Sequence, residues 1–223
     1  KEEFIPEDAN KILFVLGPSL AMICACMTAA VIPWGADLHL FNQLVPLQIV
    51  DLGLGVLYLT GVVSLGVYGI MIGGWASNNK FSLLSAIRAS SQMISYELAM
   101  GLSIISLILV TNSFSLSEIV QGQVGFKWNI FYQPLGFIIF LICSFAEANR
   151  VPFDLAECET ELVGGYHTEY SSMKLGFYLF AEYINMFIAS AVMATLYFGG
   201  FQVPGLALIG LPHNVVALIG LGA

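Results

Sequence analysis

"LGLGVLYLTGVVSLGVYGIMIGG" runs from Leu52 to Gly74 without a single acid or base. As a helix rising 1.5 Å per residue it reaches about 35 Å, enough to cross a hydrocarbon core of about 30 Å. Glycines at 61, 66, 69, 73 and 74 suit the close helix approach that small residues allow in membranes. Four further apolar runs flank this one: Ile12–Ile32, closed by Pro33; a polar-started run from Ser82 to about Val110; Trp128–Ala146; and Leu175–Phe198. The sequence therefore predicts an all-α integral membrane protein, a polytopic bundle of five transmembrane helices (about 12–32, 52–74, 82–110, 128–146 and 175–198). These form one transmembrane domain over residues 1–223, with a long ordered cytoplasmic loop, 147–174, between the fourth and fifth. Beyond Gly199–Gly200 the chain stays apolar, but Pro204 and Pro212 interrupt it, and its last ten residues reach only about 15 Å as helix.

Composition points the same way. The 223 residues are 58% hydrophobic and 10% charged, with a mean hydropathy of +0.85, far from the roughly 25% charged residues of a soluble domain. Five alternating helices put Lys1, Lys11, Lys80, Arg88, Arg150 and Lys174 on one side of the membrane and Lys127 alone on the other. That asymmetry assigns residue 1 and the long loop to the cytoplasmic face. A net charge of −8 with scattered bases gives no nucleic-acid footprint. Cys24, Cys26, Cys143 and Cys158 lack metal-ligand spacing and read as buried thiols, so no metal is expected. The opening without Met, and the apolar final residues, read as part of a longer membrane protein.

Carboxylates inside so apolar a chain are costly and raise a functional hypothesis. Glu97 falls roughly 10 Å inside the cytoplasmic boundary of the third helix, Glu182 at about the same depth in the fifth, and Glu147 at the cytoplasmic end of the fourth. Matching depths on helices of different direction suggest one cluster. The plainer alternative is three separate helix-pairing contacts with Arg88, Arg150 or Lys174. The loop adds Asp154, Glu157, Glu159, Glu161 and Glu169, beside Pro152, Gly164–Gly165 and the apolar Phe153, Leu155, Leu162, Val163 and Tyr166, which give it turns and a surface to pack. Buried, mutually repelling carboxyl groups can hold and release protons near neutral pH, so the loop reads as the mouth of a proton path. Asp51 reads as an interface cap, His39 and His213 as structural loop residues, and His167 as a residue of the acidic loop.

"AEANRVPFDLAECETELVGGYHTEYSSMK" (146–174) resembles the long cytoplasmic loop of the H-subunit family of bacterial NADH-quinone oxidoreductase, the membrane component beside the quinone-reducing arm of respiratory complex I. "GVYGIMIGGWASNNKFSLLSAIRASSQMISYELAMGL" (66–102) and "KEEFIPEDANKILFVLGPSLA" (1–21) are similar to other parts of the same family, and the likeness weakens after about Gly200. Members have eight spanning helices, of which this chain would supply the second to the sixth. The resemblance implies a subunit without flavin, iron–sulfur cluster or metal, which helps form the chamber where quinone (ubiquinone or menaquinone) is reduced as substrate. It implies a glutamate relay through Glu97, Glu147, Glu159, Glu161 and Glu182, and a quinone-chamber loop bearing Arg150, Phe153 and Asp154. Implied partners are the soluble quinone-module subunits on the cytoplasmic side, small membrane and antiporter-like subunits, and the lipid bilayer, with no nucleic acid; the implied location is the bacterial inner membrane. Departures from the family pattern are Cys158, Ser172 and Ser64, the last where some members carry an acid. Competing readings are the quinone-independent membrane subunit of a membrane-bound hydrogenase, a scaffold that anchors soluble subunits, and an ion-coupled secondary transporter, whose usual inverted repeat is not visible here.

Overall fold

A computed structural model describes residues 5–6, 9–35, 38–40, 43–125, 127–154 and 164–202. In chain order the elements are α1 (Lys11–Ala29), a hairpin of β1 (Leu38–Leu40) and β2 (Gln43–Val45), α2 (Gly55–Ala76), α3 (Lys80–Thr111), α4 (Leu116–Gly122), α5 (Asn129–Tyr132), α6 (Pro134–Glu147), a 3-10 turn (Gly165–His167) and α7 (Ser172–Tyr197). The small hairpin is antiparallel, with Leu38 opposite Val45 and Leu40 opposite Gln43. Among the described residues four helices, α1, α2, α3 and α7, are long and apolar enough to cross a membrane. Their outer faces are oily: Ile12 is 77% exposed, Leu109 73% and Leu98 70%, far more apolar surface than water tolerates on a soluble chain. The fold is an all-α membrane bundle.

The expected fourth span is broken in the structure. Residues 128–146 do not form one helix: α5 ends at Tyr132, Gln133 leaves the helical region (φ −135, ψ 66), and α6 begins at Pro134. Proline donates no amide hydrogen and drives its predecessor out of the helical region, so the break falls where the ring sits. The Gln133 side chain ties the break to α3: its Nε2 donates to the Ser106 carbonyl at 2.8 Å while Oε1 accepts from Ser106 Oγ at 3.1 Å. At 14 residues, α6 is only about 21 Å long. Likewise α1 stops at Ala29, short of Ile32: Pro33 has no amide hydrogen for the Ala29 carbonyl, which accepts from Trp34 Nε1 at 3.3 Å instead, and just beyond the helix Gln48 Nε2 donates to the Val31 carbonyl at 2.7 Å.

By contacts the chain falls into two compact units, one of 1–27, 60–101 and 142–187, the other of 28–59, 102–141 and 188–223. In the first, Phe14, Val67, Ile70, Ala86, Ala89, Met93, Tyr170 and Tyr178 form the core. Glycine sets its tightness. A Cβ on Gly69 would sit 2.9 Å from the Ala21 amide nitrogen and 3.0 Å from the Gly17 carbonyl oxygen, so only glycine lets α2 lie against α1 here. Asn79 opens α3, its Oδ1 accepting from the Phe81 amide at 2.9 Å. In the second unit, Leu107, Leu116, Ile119, Phe140 and Tyr197 are almost fully buried. Gln123 Nε2 donates to the carbonyls of Thr195 at 3.0 Å and Leu196 at 3.2 Å, and Asn129 Nδ2 donates to Leu196 at 2.8 Å. Those bonds satisfy the orphan carbonyls that end α7.

Candidate functional site

The acids gather inside the first unit, and the end of α6 explains how. The Arg150 amide donates to the Phe145 carbonyl at 3.3 Å and the Asn149 amide to Ala146 at 3.4 Å, while Asn149 takes a left-handed φ of +47°. This is the Schellman ending, in which glycine or asparagine turns the chain at the first residue past the cap. The turn sends Arg150 toward α7. Its Nε lies 4.0 Å from Glu182 Oε1, and its guanidinium stands 4.9 Å over the Tyr183 ring.

Glu147 and Glu182 line one cavity of about 40 Å³, together with Asn149, Asn185, Tyr166 and Tyr178. Its apolar wall comes from Ala21, Val63, Gly66, Ile70 and Met93. The volume holds a few water molecules, and the polar lining supplies partners for them. Glu97 on α3 lies close enough to Glu147 for their charges to repel, and Ser64 Oγ on α2 donates to Glu97 Oε1. Glu97, Glu147, Glu182 and Arg150 thus belong to one neighbourhood. Two carboxyl groups around a small polar cavity, a third beside one of them and a cation beside the other make an arrangement that can accept, hold and pass protons.

The adjoining loop is tied to α3. Gln92 Nε2 donates to the Ala146 carbonyl at 3.1 Å and to the Phe153 carbonyl at 2.9 Å. The Phe153 ring meets Tyr96 edge-on at 5.2 Å. Asp154 Oδ1 is buried without a hydrogen-bond partner among the described residues. Further along, Ser82 Oγ donates to the Tyr166 carbonyl at 2.7 Å and Asn79 Nδ2 to Glu169 Oε1 at 2.7 Å. The Tyr170 and Tyr178 hydroxyls donate to the Gly73 carbonyl at 3.2 Å and the Gly69 carbonyl at 3.0 Å, and the Tyr170 ring stacks on Phe14 with centroids 4.1 Å apart. Burial pushes the Tyr170 hydroxyl up to about 12. Glu157, Glu159 and Glu161 lie outside the described residues. No group of three His, Cys, Asp or Glu that could hold a metal occurs among the described residues.

The sequence model of the family described as NADH dehydrogenase matches residues 1–221. The chain belongs to the NADH dehydrogenase family. Its relatives there include the NADH-quinone oxidoreductase H subunit numbered 1 in Cytophaga hutchinsonii, 66% identical over 220 residues that cover 99% of this chain and 64% of the relative. The corresponding H subunit of Flavobacterium psychrophilum is 66% identical over 206 residues, 92% of this chain and 60% of the relative. That numbered 1 in Geobacter metallireducens is 50% identical over 206 residues, 92% and 62%. The chain thus spans about three fifths of the length of these curated relatives.

Within this NADH dehydrogenase family member, several cavity residues had escaped the sequence reading. Asn185 and Tyr178 lie three residues after and four before Glu182 on α7, the spacing that puts side chains on one helical face. That periodicity was a usable signal. Asn149 had a weaker one, an asparagine just past an apolar helix.

Proposed function

We propose that this chain is a membrane subunit of a bacterial complex I, NADH-quinone oxidoreductase, resident in the inner membrane with the acidic loop toward the cytoplasm. In that reading it helps form the quinone-reduction chamber and carries the glutamate relay that couples electron transfer to proton translocation. It has no redox centre of its own. Quinone is the substrate, and electrons arrive from an adjacent soluble subunit of the quinone module. Small membrane and antiporter-like subunits are the remaining partners.

One observation carries the reading: Glu147 and Glu182 share a polar cavity, with Glu97 electrostatically coupled to the first and Arg150 beside the second. Reducing a quinone to a quinol takes up two electrons and two protons. Negative charge arriving in a low-dielectric chamber acts strongly on nearby carboxyl groups. Arg150 and Asp154 bring opposite charges to the loop that meets the headgroup, and Phe153 gives that loop an apolar ring. The loop acids Glu159 and Glu161 would supply protons at the mouth, and Glu147, Glu97 and Glu182 would carry the resulting change onward.

The test is quinone-dependent proton translocation by the assembled complex in membrane vesicles, with Glu147→Gln and Glu182→Gln and with assembly checked on native gels. The relay requires both assembled variants to lose most translocation. Full pumping in both removes it. Loss of assembly with intact turnover in whatever complex remains would favour a scaffold role for the acids. Copurification of a nickel–iron hydrogenase pair in place of NADH-oxidising subunits would replace the quinone reading.

A further inference from the structure

Ser64 stands on α2 at the one described hydroxyl contact to Glu97. Its Oγ is within 2.9 Å of the Thr60 carbonyl oxygen and in close contact with Glu97 Oε1. A serine hydroxyl has one hydrogen to give and lone pairs to receive with. It cannot give a full-strength bond to both oxygens at once. Which one it chooses depends on what Glu97 carries.

When Glu97 is a carboxylate, it can only accept. The Ser64 proton then turns to it, because a hydrogen bond to a charged oxygen is roughly twice as strong as one to a neutral carbonyl. The Thr60 carbonyl keeps its ordinary helical bond from the amide four residues on, so nothing is stranded. When Glu97 is protonated, its own O–H can donate to Ser64 Oγ, and the serine proton swings back to Thr60. The serine keeps its proton in both states, and the only proton gained or lost belongs to Glu97. The change is a rotation about one side-chain bond.

We infer that Ser64 is a positioning residue for Glu97, a two-way hydroxyl that gives this carboxyl group a matched partner both with and without its proton. The inference rests on the reading of Glu97 as a relay station and adds to it how that station can cycle without leaving a polar atom unpaired in the membrane. The surroundings suit the role. Ser64 and Glu97 are both half-buried, and Val63 and Gly66, the positions just before Ser64 and two after it, line the cavity that holds Glu147 and Glu182. A hydroxyl adds no charge beside Glu97, where Glu147 already repels it. A second acid at position 64 would add to that repulsion.

The experiment uses the intact complex in vesicles and compares Ser64→Thr with Ser64→Val, a nearly isosteric pair that differs in the hydroxyl, with Ser64→Ala as a smaller control. Losing a hydrogen bond to a charged group should slow coupled proton translocation roughly tenfold in Ser64→Val and Ser64→Ala, with the KM for quinone unchanged. Ser64→Thr should recover most of that loss. The Glu97 carboxyl band in the infrared difference spectrum, identified by its disappearance in Glu97→Gln, should move in Ser64→Val and keep its place in Ser64→Thr. Wild-type translocation and an unmoved band in Ser64→Val and Ser64→Ala, while Glu97→Gln abolishes translocation, overturns the role of Ser64 and leaves the relay standing. Full translocation in Glu97→Gln overturns both. Equal loss in Ser64→Thr and Ser64→Val assigns the effect to packing and also overturns the inference.

Discussion

Gly69→Ala is a sharp test of how α2 meets α1. The added methyl carbon would lie 2.9 Å from the Ala21 amide nitrogen, 3.0 Å from the Gly17 carbonyl oxygen and 3.2 Å from the Ala21 methyl. Ordinary contacts start several tenths of an ångström farther out, and two of the three opposing atoms are backbone, which has no rotamer to change. Relief requires α1 and α2 to move apart. Overpacking of this kind costs about 1–3 kcal/mol. Alanine returns up to about 1 kcal/mol through its better helix propensity. The net is a destabilisation of about 1–2 kcal/mol, increased if the Tyr178 bond to the Gly69 carbonyl is stretched. Gly101→Ala is the internal control, since nothing lies within 4 Å of its added carbon, and the same propensity term should stabilise it by up to about 1 kcal/mol. Thermal unfolding of the two variants in lipid nanodiscs, followed by circular dichroism, should shift in opposite directions. Gly69→Ala at least as stable as the wild type would refute the close packing of these two helices.

Two further predictions concern the loop. Gln92→Leu removes the side chain that donates to both the Ala146 and Phe153 carbonyls; backbone hydrogen exchange over 148–154 should then speed up roughly tenfold, consistent with about 1–2 kcal/mol for the lost bonds, and unchanged exchange would show that the loop is held elsewhere. Tyr170 predicts an alkaline limb of stability: its folded value, raised by burial to about 12, exceeds the unfolded one near 10, so folding favours the neutral hydroxyl. Its contribution is whole below pH 10, and up to about 3 kcal/mol is lost as pH rises from 10 to 12. Tyr170→Phe should flatten that limb at the expense of about 1 kcal/mol at neutral pH for the bond to Gly73.

Hydropathy and depth along a helix were enough to find four long spans and to suggest that Glu97, Glu147 and Glu182 share a neighbourhood. Both rest on one-dimensional facts, since rise per residue converts directly to depth. The break at Gln133–Pro134 was visible as a proline, yet an apolar window averages across it, and nothing local announces that the Gln133 side chain bonds Ser106. The cap on α7 from Gln123 and Asn129 is a long-range pairing of side chains with carbonyls some seventy residues later, and no periodicity encodes it. Asn149 illustrates the middle case: its type fits a left-handed turn, but only the surrounding backbone decides that Arg150 then faces Glu182.

The length of α3 has a mechanical meaning. Its 32 residues measure about 48 Å, some 18 Å more than the hydrocarbon thickness. Asn79, just before its start, and Ser82 and Gln92 within it each grip the stretch between 146 and 169. The helix is therefore a stiff lever with Glu97 partway along it and the loop fastened to its free arm. Swinging such an arm by about 5° carries its tip roughly 1.5 Å, about half a hydrogen-bond length. A small displacement of Phe153, Tyr166 or Glu169 is thus passed, through those bonds, to the same helix that carries Glu97.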